Sequence, residues 1–336
     1  MRVLVKGAGV AGLTAAFELA RRGARVVVID ARSGLAGSAS WFAGGMLAPF
    51  CERENAEEAV VSLGLQAAAW WERAVPGSVS FEGTLVVAPR RDASEIDRFA
   101  ARTRSFTRLG ADDIAALEPD LTGRFDRGLF FKEEAHLDPR QALSRLQDRL
   151  ASMEVGFCFS RTEPPGDYVP DVVVDCSGMA AAGVLADLRG VRGEMLHLET
   201  VEIALSRPVR LIHPRIPIYI VPRGDGRFMV GATMIESASD EPITARSMME
   251  LLNAAYALHP AFGEARVVEA ASGVRPAFPD NLPRVTQRSG TVYVNGLYRH
   301  GFLLAPALAQ EAAKLILGDD ARKEDVNDAD RQWRDA

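Results

Sequence analysis

Three glycines near the N-terminus, Gly7, Gly9 and Gly12, stand in the spacing GxGxxG, and an acid, Asp30, follows 18 residues after the last. That set can hold a dinucleotide. Gly7 permits a tight turn, Gly9 lets the backbone approach a pyrophosphate, and Gly12 lets a helix pack on a strand. The helix start offers free N–H groups and partial positive charge to phosphate. A carboxylate at Asp30 can accept from both ribose hydroxyls and disfavours a 2′-phosphate, so NADP does not fit. A second set lies near the C-terminus. In "NGLYRHGFLLAP" (295–306), Arg299 and His300 stand between Gly296 and Gly301, ahead of an apolar run. A guanidinium in apolar surroundings is costly unless an anion meets it.

The elements that must position these groups are legible as periodicity. "RVLV" (2–5) is a short apolar strand, "LTAAFELARRG" (13–23) has helical spacing with a glycine stop, and "RVVVID" (25–30) is a second buried strand. The glycine motif thus has the strand–turn–helix–strand context its chemistry needs. The motif alone does not separate FAD from NAD. Residues 31–50 form a small-residue loop rather than another βα unit, which suits close contact with an extended, flat cofactor. Helices are expected over 56–75, 92–118 and 247–260, with a strand–hairpin–strand over 79–89. A further helix should begin at Asp138-Pro139, where an acid caps and proline opens the first turn. Buried or alternating strands are expected at 171–178, 191–199, 218–234 (turning at Gly224-Asp225-Gly226), 267–278 and 291–301. A closing helix is read over 305–319 and a polar tail from 320.

Composition narrows the classes. With 336 residues, 48% apolar and 25% charged, the chain reads as globular, with core enough for two domains. A net charge of −6 and no Lys/Arg block argue against a nucleic-acid surface. Cys51, Cys158 and Cys176 are scattered without a CxxC, and the five histidines lack HxxxH or HExxH spacing, so neither a disulfide framework nor a metal site is expected. No apolar run approaches the roughly 20 residues of a membrane span. These features point to a cytoplasmic protein.

Five stretches together resemble the FAD-dependent D-amino-acid oxidase family, and within it the glycine oxidases of thiamine biosynthesis: "GAGVAG", "AGGMLAP" (43–49), "VRGEM" (191–195), "YIVPR…GRFMVGATM" (219–234), and "SGVRP" (272–276) with "GLYRHGFLLAP" (296–306). The resemblance implies an α/β fold: a Rossmann-like FAD domain interleaved with a mostly antiparallel β substrate domain. The FAD domain is expected from 1–77, 136–190 and 268–336, and the substrate domain from 78–135 and 191–267. It further implies Val10 and Ala11 in the phosphate turn, Asp30 and Ala31 at the ribose, and Ala39, Ser40, Gly44, Gly45 and Met46 along the cofactor's middle and the flavin. Leu297, Tyr298, Arg299, His300, Gly301, Phe302 and Leu303 should lie against the flavin pyrimidine ring. Arg275 is implied as the clamp on a substrate carboxylate, Arg299 as the second arginine of the site, Tyr219 as a hydroxyl facing substrate, and Met234 as a cavity wall. A homo-oligomer is also implied. The segment 159–171 is shorter than the family's β-meander, so the contact to the FAD adenine is not placed.

The implied chemistry is oxidation of glycine or a small amine at the Cα–N bond, with hydride passing to flavin N5 and O2 as acceptor. The imine then leaves for thiazole assembly or hydrolyses to glyoxylate and ammonia. No cysteine lies between "SGVRP" and "RHG", so the FAD is expected to be noncovalent. Three readings compete: another D-amino-acid or sarcosine-type oxidase or dehydrogenase; a non-catalytic FAD-binding subunit; and, from the glycine motif alone, an NAD-dependent dehydrogenase.

Overall fold

The computed structural model describes residues 1–166, 168–213 and 216–318; the tail read from residue 320 lies outside them. Its strands form a six-stranded, a nine-stranded and a three-stranded sheet. The first runs, edge to edge, through 284–288, 291–295, 172–175, 2–6, 25–30 and 156–159. All but the edge strand Arg284–Arg288 are parallel. "RVLVK" sits inside this sheet with Val3, Leu4 and Val5 at most 1% exposed. Such uninterrupted burial is what a parallel strand covered on both faces requires. The helix Val10–Arg21 leaves the strand at once and is buried from Val10 to Leu19, packed against the closing helix.

That closing helix spans Gly301–Leu317, starting four residues before the expected 305. Pro306 lies inside it and has no N–H for the Phe302 carbonyl. The Trp71 indole N–H takes that place, 2.9 Å from the Phe302 oxygen. A side chain from a distant helix therefore compensates the proline. The early start puts the helix N-terminus at the cavity described below.

The nine-stranded sheet runs through 266–277, 189–199, 227–231, 218–222, 209–211, 84–87, 127–131 and 107–110, with 235–236 also paired to 189–199. It is antiparallel except where 209–211 meets 84–87. The hairpin of Ile218–Pro222 and Arg227–Gly231 turns at Gly224, Asp225 and Gly226, all at positive φ. Two expectations fail. Residues 79–80 and 84–87 do not form a hairpin, because 79–80 pairs with 135–137 and 84–87 with 127–131. The region 92–118 is not helical throughout: helices Ser94–Ala100 and Ala111–Leu117 flank a strand at Thr107–Gly110, which has an edge to pair with in Arg127–Phe131. The domain division expected at 267/268 also cuts a strand. Residues 266–277 pair with 189–199 along their length, within the second sheet. The helix expected at Asp138-Pro139 spans Pro139–Ser152, with the Asp138 carboxylate accepting from the N–H groups of Arg140 and Gln141.

Candidate functional site

The glycine turn shows why its residues are glycines. Gly7 has φ +97, and a Cβ there would lie 2.6 Å from the Cys176 carbonyl oxygen. A Cβ on Gly12 would lie 1.7 Å from the Gly7 oxygen, so the helix rests directly on the turn. The first N–H of the helix, on Val10, donates to Ser40 Oγ at 3.0 Å, which ties the small-residue loop to the turn. Asp30, at the end of the second strand, is buried and already engaged. Its carboxylate accepts from the Ala8 N–H (2.6 Å) and from Arg32 through the backbone N–H (2.8 Å), Nε (3.0 Å) and Nη2 (2.6 Å). Burial works to raise its pKa, but Arg32 and these N–H groups hold it below the usual aspartate value. Asp30 is thus shared with Arg32, a partner the sequence motif does not reveal.

From this turn a cavity of about 930 Å³ extends to Arg275. Every site residue expected from the sequence lines it except Gly12, which packs behind the turn. Thus Gly7, Gly9, Val10, Ala11, Asp30 and Ala31 stand with Ala39, Ser40, Gly44, Gly45 and Met46, with the run Leu297–Leu303, and with Tyr219, Met234 and Arg275. Arg161 and Thr162, in the shortened connection, line the same cavity, and the Arg161 N–H donates to the Asp30 carbonyl. They are the chain's own candidates for the adenine end.

The loop 43–45 is held from both sides. Gly45 has φ +72, and a Cβ would lie 2.1 Å from the Leu137 oxygen; a Cβ on Gly44 would lie 2.6 Å from the Tyr219 ring. Arg223, which the sequence reading did not single out, donates to the carbonyls of Gly44 (2.7 Å) and Leu137 (3.0 Å). Its nearest carboxylate, Asp138, is 3.9 Å away, and burial pulls its pKa down to about 10.

At the other end, strand register assembles the polar groups. Arg210, Tyr219 and Gly231 are cross-strand partners in one row. Arg275 reaches over the neighbouring strand, where a Cβ on Gly193 would lie 2.0 Å from its Nη2. Its hydrogen bond is to the Thr233 carbonyl, at 3.1 Å. No carboxylate among the described residues pairs with it, and burial lowers its pKa. Arg299 differs from expectation. It lines the cavity, but its Nε is 2.9 Å from Oε2 of Glu52 and its Nη1 contacts Met234 Sδ at 3.4 Å. Its charge is therefore already met. Met234 is half exposed at the cavity wall and also receives the Tyr298 hydroxyl at 3.6 Å. Glu52 pairs with Arg210 as well, at 3.1 Å. Burial would raise the Glu52 pKa, yet Arg299 and Arg210 hold it down to about 2. His300 Nδ1 lies 3.4 Å from Glu52 Oε2; burial and the surrounding arginines nonetheless push its pKa to about 4, so it is neutral near pH 7. Glu52 and Arg210 had no spacing signal in the sequence; only the fold brings them beside Arg299. Among the described residues no group of three or more His, Cys, Asp or Glu is arranged to hold a metal ion, and no helix is long and apolar enough to cross a membrane.

The model of one protein family, described as FAD dependent oxidoreductase, matches residues 2–315. The chain belongs to that family. Its glycine turn, loop 39–46 and run 297–303 fit FAD, since the glycines at 7, 9, 44 and 45 leave backbone bare where a side chain would crowd the cavity or its walls. This FAD-dependent oxidoreductase is 61% identical over 324 residues to a Rhizobium etli protein assigned as the thiamine biosynthesis oxidoreductase ThiO, covering 96% of this chain and 99% of that one. It is 28% identical over 355 residues to the glycine oxidase of Pseudomonas aeruginosa, covering 94% and 95%. Among solved structures, iminodiacetate oxidase from Chelativorans superposes with a TM-score of 0.78 at 26% identity, covering 94% and 95%. Glycine oxidase from Geobacillus kaustophilus gives 0.79 at 24% identity over 94% of each chain, a likeness of fold. The α/β architecture, with a Rossmann-like FAD sheet and a mostly antiparallel second sheet, is that of the D-amino-acid oxidase type.

Proposed function

We propose that the protein oxidises glycine, or a closely similar small amino acid, at its Cα–N bond, in the route to the thiamine thiazole. The observation that carries this reading is Arg275, a guanidinium lining the cavity with a backbone carbonyl as its partner and, among the described residues, no carboxylate. A substrate carboxylate satisfies it through two parallel charge-assisted hydrogen bonds, which fix orientation as well as add affinity. The likeness to a thiamine-biosynthesis oxidoreductase and to glycine oxidases supports the same substrate class.

Bound FAD supplies the two-electron acceptor. The chain's own groups bind and orient. Arg275 holds the carboxylate, and the Tyr219 hydroxyl, packed against Gly44 and Gly231, faces the same space. Met46, Met234 and Leu303 line the walls of the same cavity. His300 is buried beside Glu52, and burial with the surrounding arginines pushes its pKa to about 4; no step here is assigned to it. The substrate amine reacts in its neutral form, and orientation is the principal contribution of the protein. The substrate loses two electrons and two protons and leaves as imine, which hydrolyses to glyoxylate and ammonia or passes on; O2 receives the electrons as peroxide.

The deciding experiment is the visible spectrum of the purified protein before and after anaerobic glycine. Bleaching of the flavin bands is expected. Flavin bands that ignore glycine but respond to sarcosine or D-amino acids would move the assignment to those amines. The flavin is held without a covalent bond in this reading. Of the three cysteines only Cys176 lines the cavity, where burial pushes its thiol pKa up. Denatured protein should therefore release its yellow colour into the supernatant.

A further inference from the structure

Glu52 stands in the cavity with no part in the chemistry above. It ends the short helix Pro49–Glu52, and each carboxylate oxygen lies within ion-pair distance of an arginine. Oε1 pairs with Arg210 Nη1 (3.1 Å) on strand Val209–Leu211, and Oε2 with Arg299 Nε (2.9 Å) just before the closing helix. The guanidinium groups of Arg210, Arg275 and Arg299 line the cavity. Arg210 and Arg299 share Glu52, and among the described residues Arg275 pairs with no carboxylate.

We propose that Glu52 is a specificity-determining residue: a built-in anion that fills the carboxylate position between Arg210 and Arg299, so that the site accepts amines with one carboxylate and rejects those with a second. The proposal rests on Arg275 holding the substrate carboxylate. A second carboxylate reaching for Arg210 and Arg299 meets the charge of Glu52 in a poorly solvated pocket, and like charges there repel strongly. It also finds the Arg299 Nε edge occupied and Nη1 on the Met234 sulfur. Glu52→Gln keeps the shape but leaves two buried guanidinium groups without an anion, a costly state that an incoming carboxylate relieves.

The test compares kcat/KM for glycine and for iminodiacetate, a dicarboxylic amine, in flavin-loaded wild type, Glu52→Gln and Glu52→Asp. Wild type should prefer glycine. Glu52→Gln should shift the ratio toward iminodiacetate by about tenfold or more, a change of about 1.4 kcal/mol, and Glu52→Asp should retain the wild-type preference. A ratio unmoved in Glu52→Gln overturns the proposal, as does a wild type that uses both amines equally. Should Glu52→Gln fail to fold, wild type alone decides through perturbation of the flavin spectrum by anions. Acetate binding more tightly than malonate supports the proposal, and malonate binding more tightly overturns it. Acetate binding that persists in Arg275→Ala refutes the placement of the substrate carboxylate instead, which separates the two failures.

Discussion

Arg275→Ala is the perturbation that the site reads most directly. Among the described residues the arginine donates to the Thr233 carbonyl and has no carboxylate partner. Its removal therefore breaks no ion pair and relieves a desolvated charge, so folding stability should hold or rise slightly. The loss falls on the substrate. Two charge-assisted hydrogen bonds at about 1.5–3 kcal/mol each amount to about 3–6 kcal/mol. At about 1.4 kcal/mol per tenfold, kcat/KM for glycine should fall by roughly two to four orders of magnitude. Arg275→Lys keeps a charge without the planar fork and should lie between. The assay is steady-state peroxide production, with flavin content and thermal unfolding measured on the same preparations. A fall of less than tenfold, or a variant that purifies without flavin, would refute the assignment of Arg275 to the substrate carboxylate.

Gly193→Ala should imitate that loss with the arginine still present, because a Cβ there occupies the space of the Arg275 guanidinium, 2.0 Å from Nη2; a kcat/KM within a few-fold of wild type would contradict this packing. Arg223→Met should weaken FAD retention, since the Gly44 and Leu137 carbonyls lose their donor, at about 1–3 kcal/mol per unsatisfied buried group; flavin titration checks it, and an unchanged dissociation constant would dismiss the role. Glu134 gives a pH signature. Burial raises its pKa from 4.5 to about 7, against the opposing Cys51 N–H. Between those values the folded protein holds a proton that the unfolded chain has lost, so its contribution is complete below pH 4.5 and disappears as pH rises through 7. Glu134→Gln should therefore gain on wild type in denaturant midpoint between pH 4.5 and 7; parallel curves would show that Glu134 ionises normally.

The first strand, the glycine turn, its helix and Asp30 were legible in the sequence because each rests on neighbours within 30 residues. Apolar runs of period 2 and 3.6 and a turn that excludes Cβ atoms are local facts. The hairpin at 218–231 and the cap at Asp138 were legible for the same reason. The helix over 92–118 was misjudged because Thr107–Gly110 becomes a strand only by pairing with Arg127–Phe131, an edge that periodicity does not report. The closing helix was read from 305 but starts at Gly301, and Trp71, from another helix, satisfies the carbonyl that Pro306 leaves bare.

For the site, the sequence by itself determined which groups could bind a dinucleotide and which arginines could meet an anion. The tertiary structure alone decided which cation is free. Arg275 and Arg299 look alike in sequence, each two or three residues after a glycine and ahead of apolar residues. Glu52, 247 residues from Arg299 along the chain, is brought beside it and neutralises it, while Arg275 lies over Gly193, bonded to the Thr233 carbonyl and, among the described residues, paired with no carboxylate. The physical reason is that charge compensation is set by distance in space. Side chains pair across a cavity formed by two sheets, and local spacing carries no record of which carboxylate the fold delivers there.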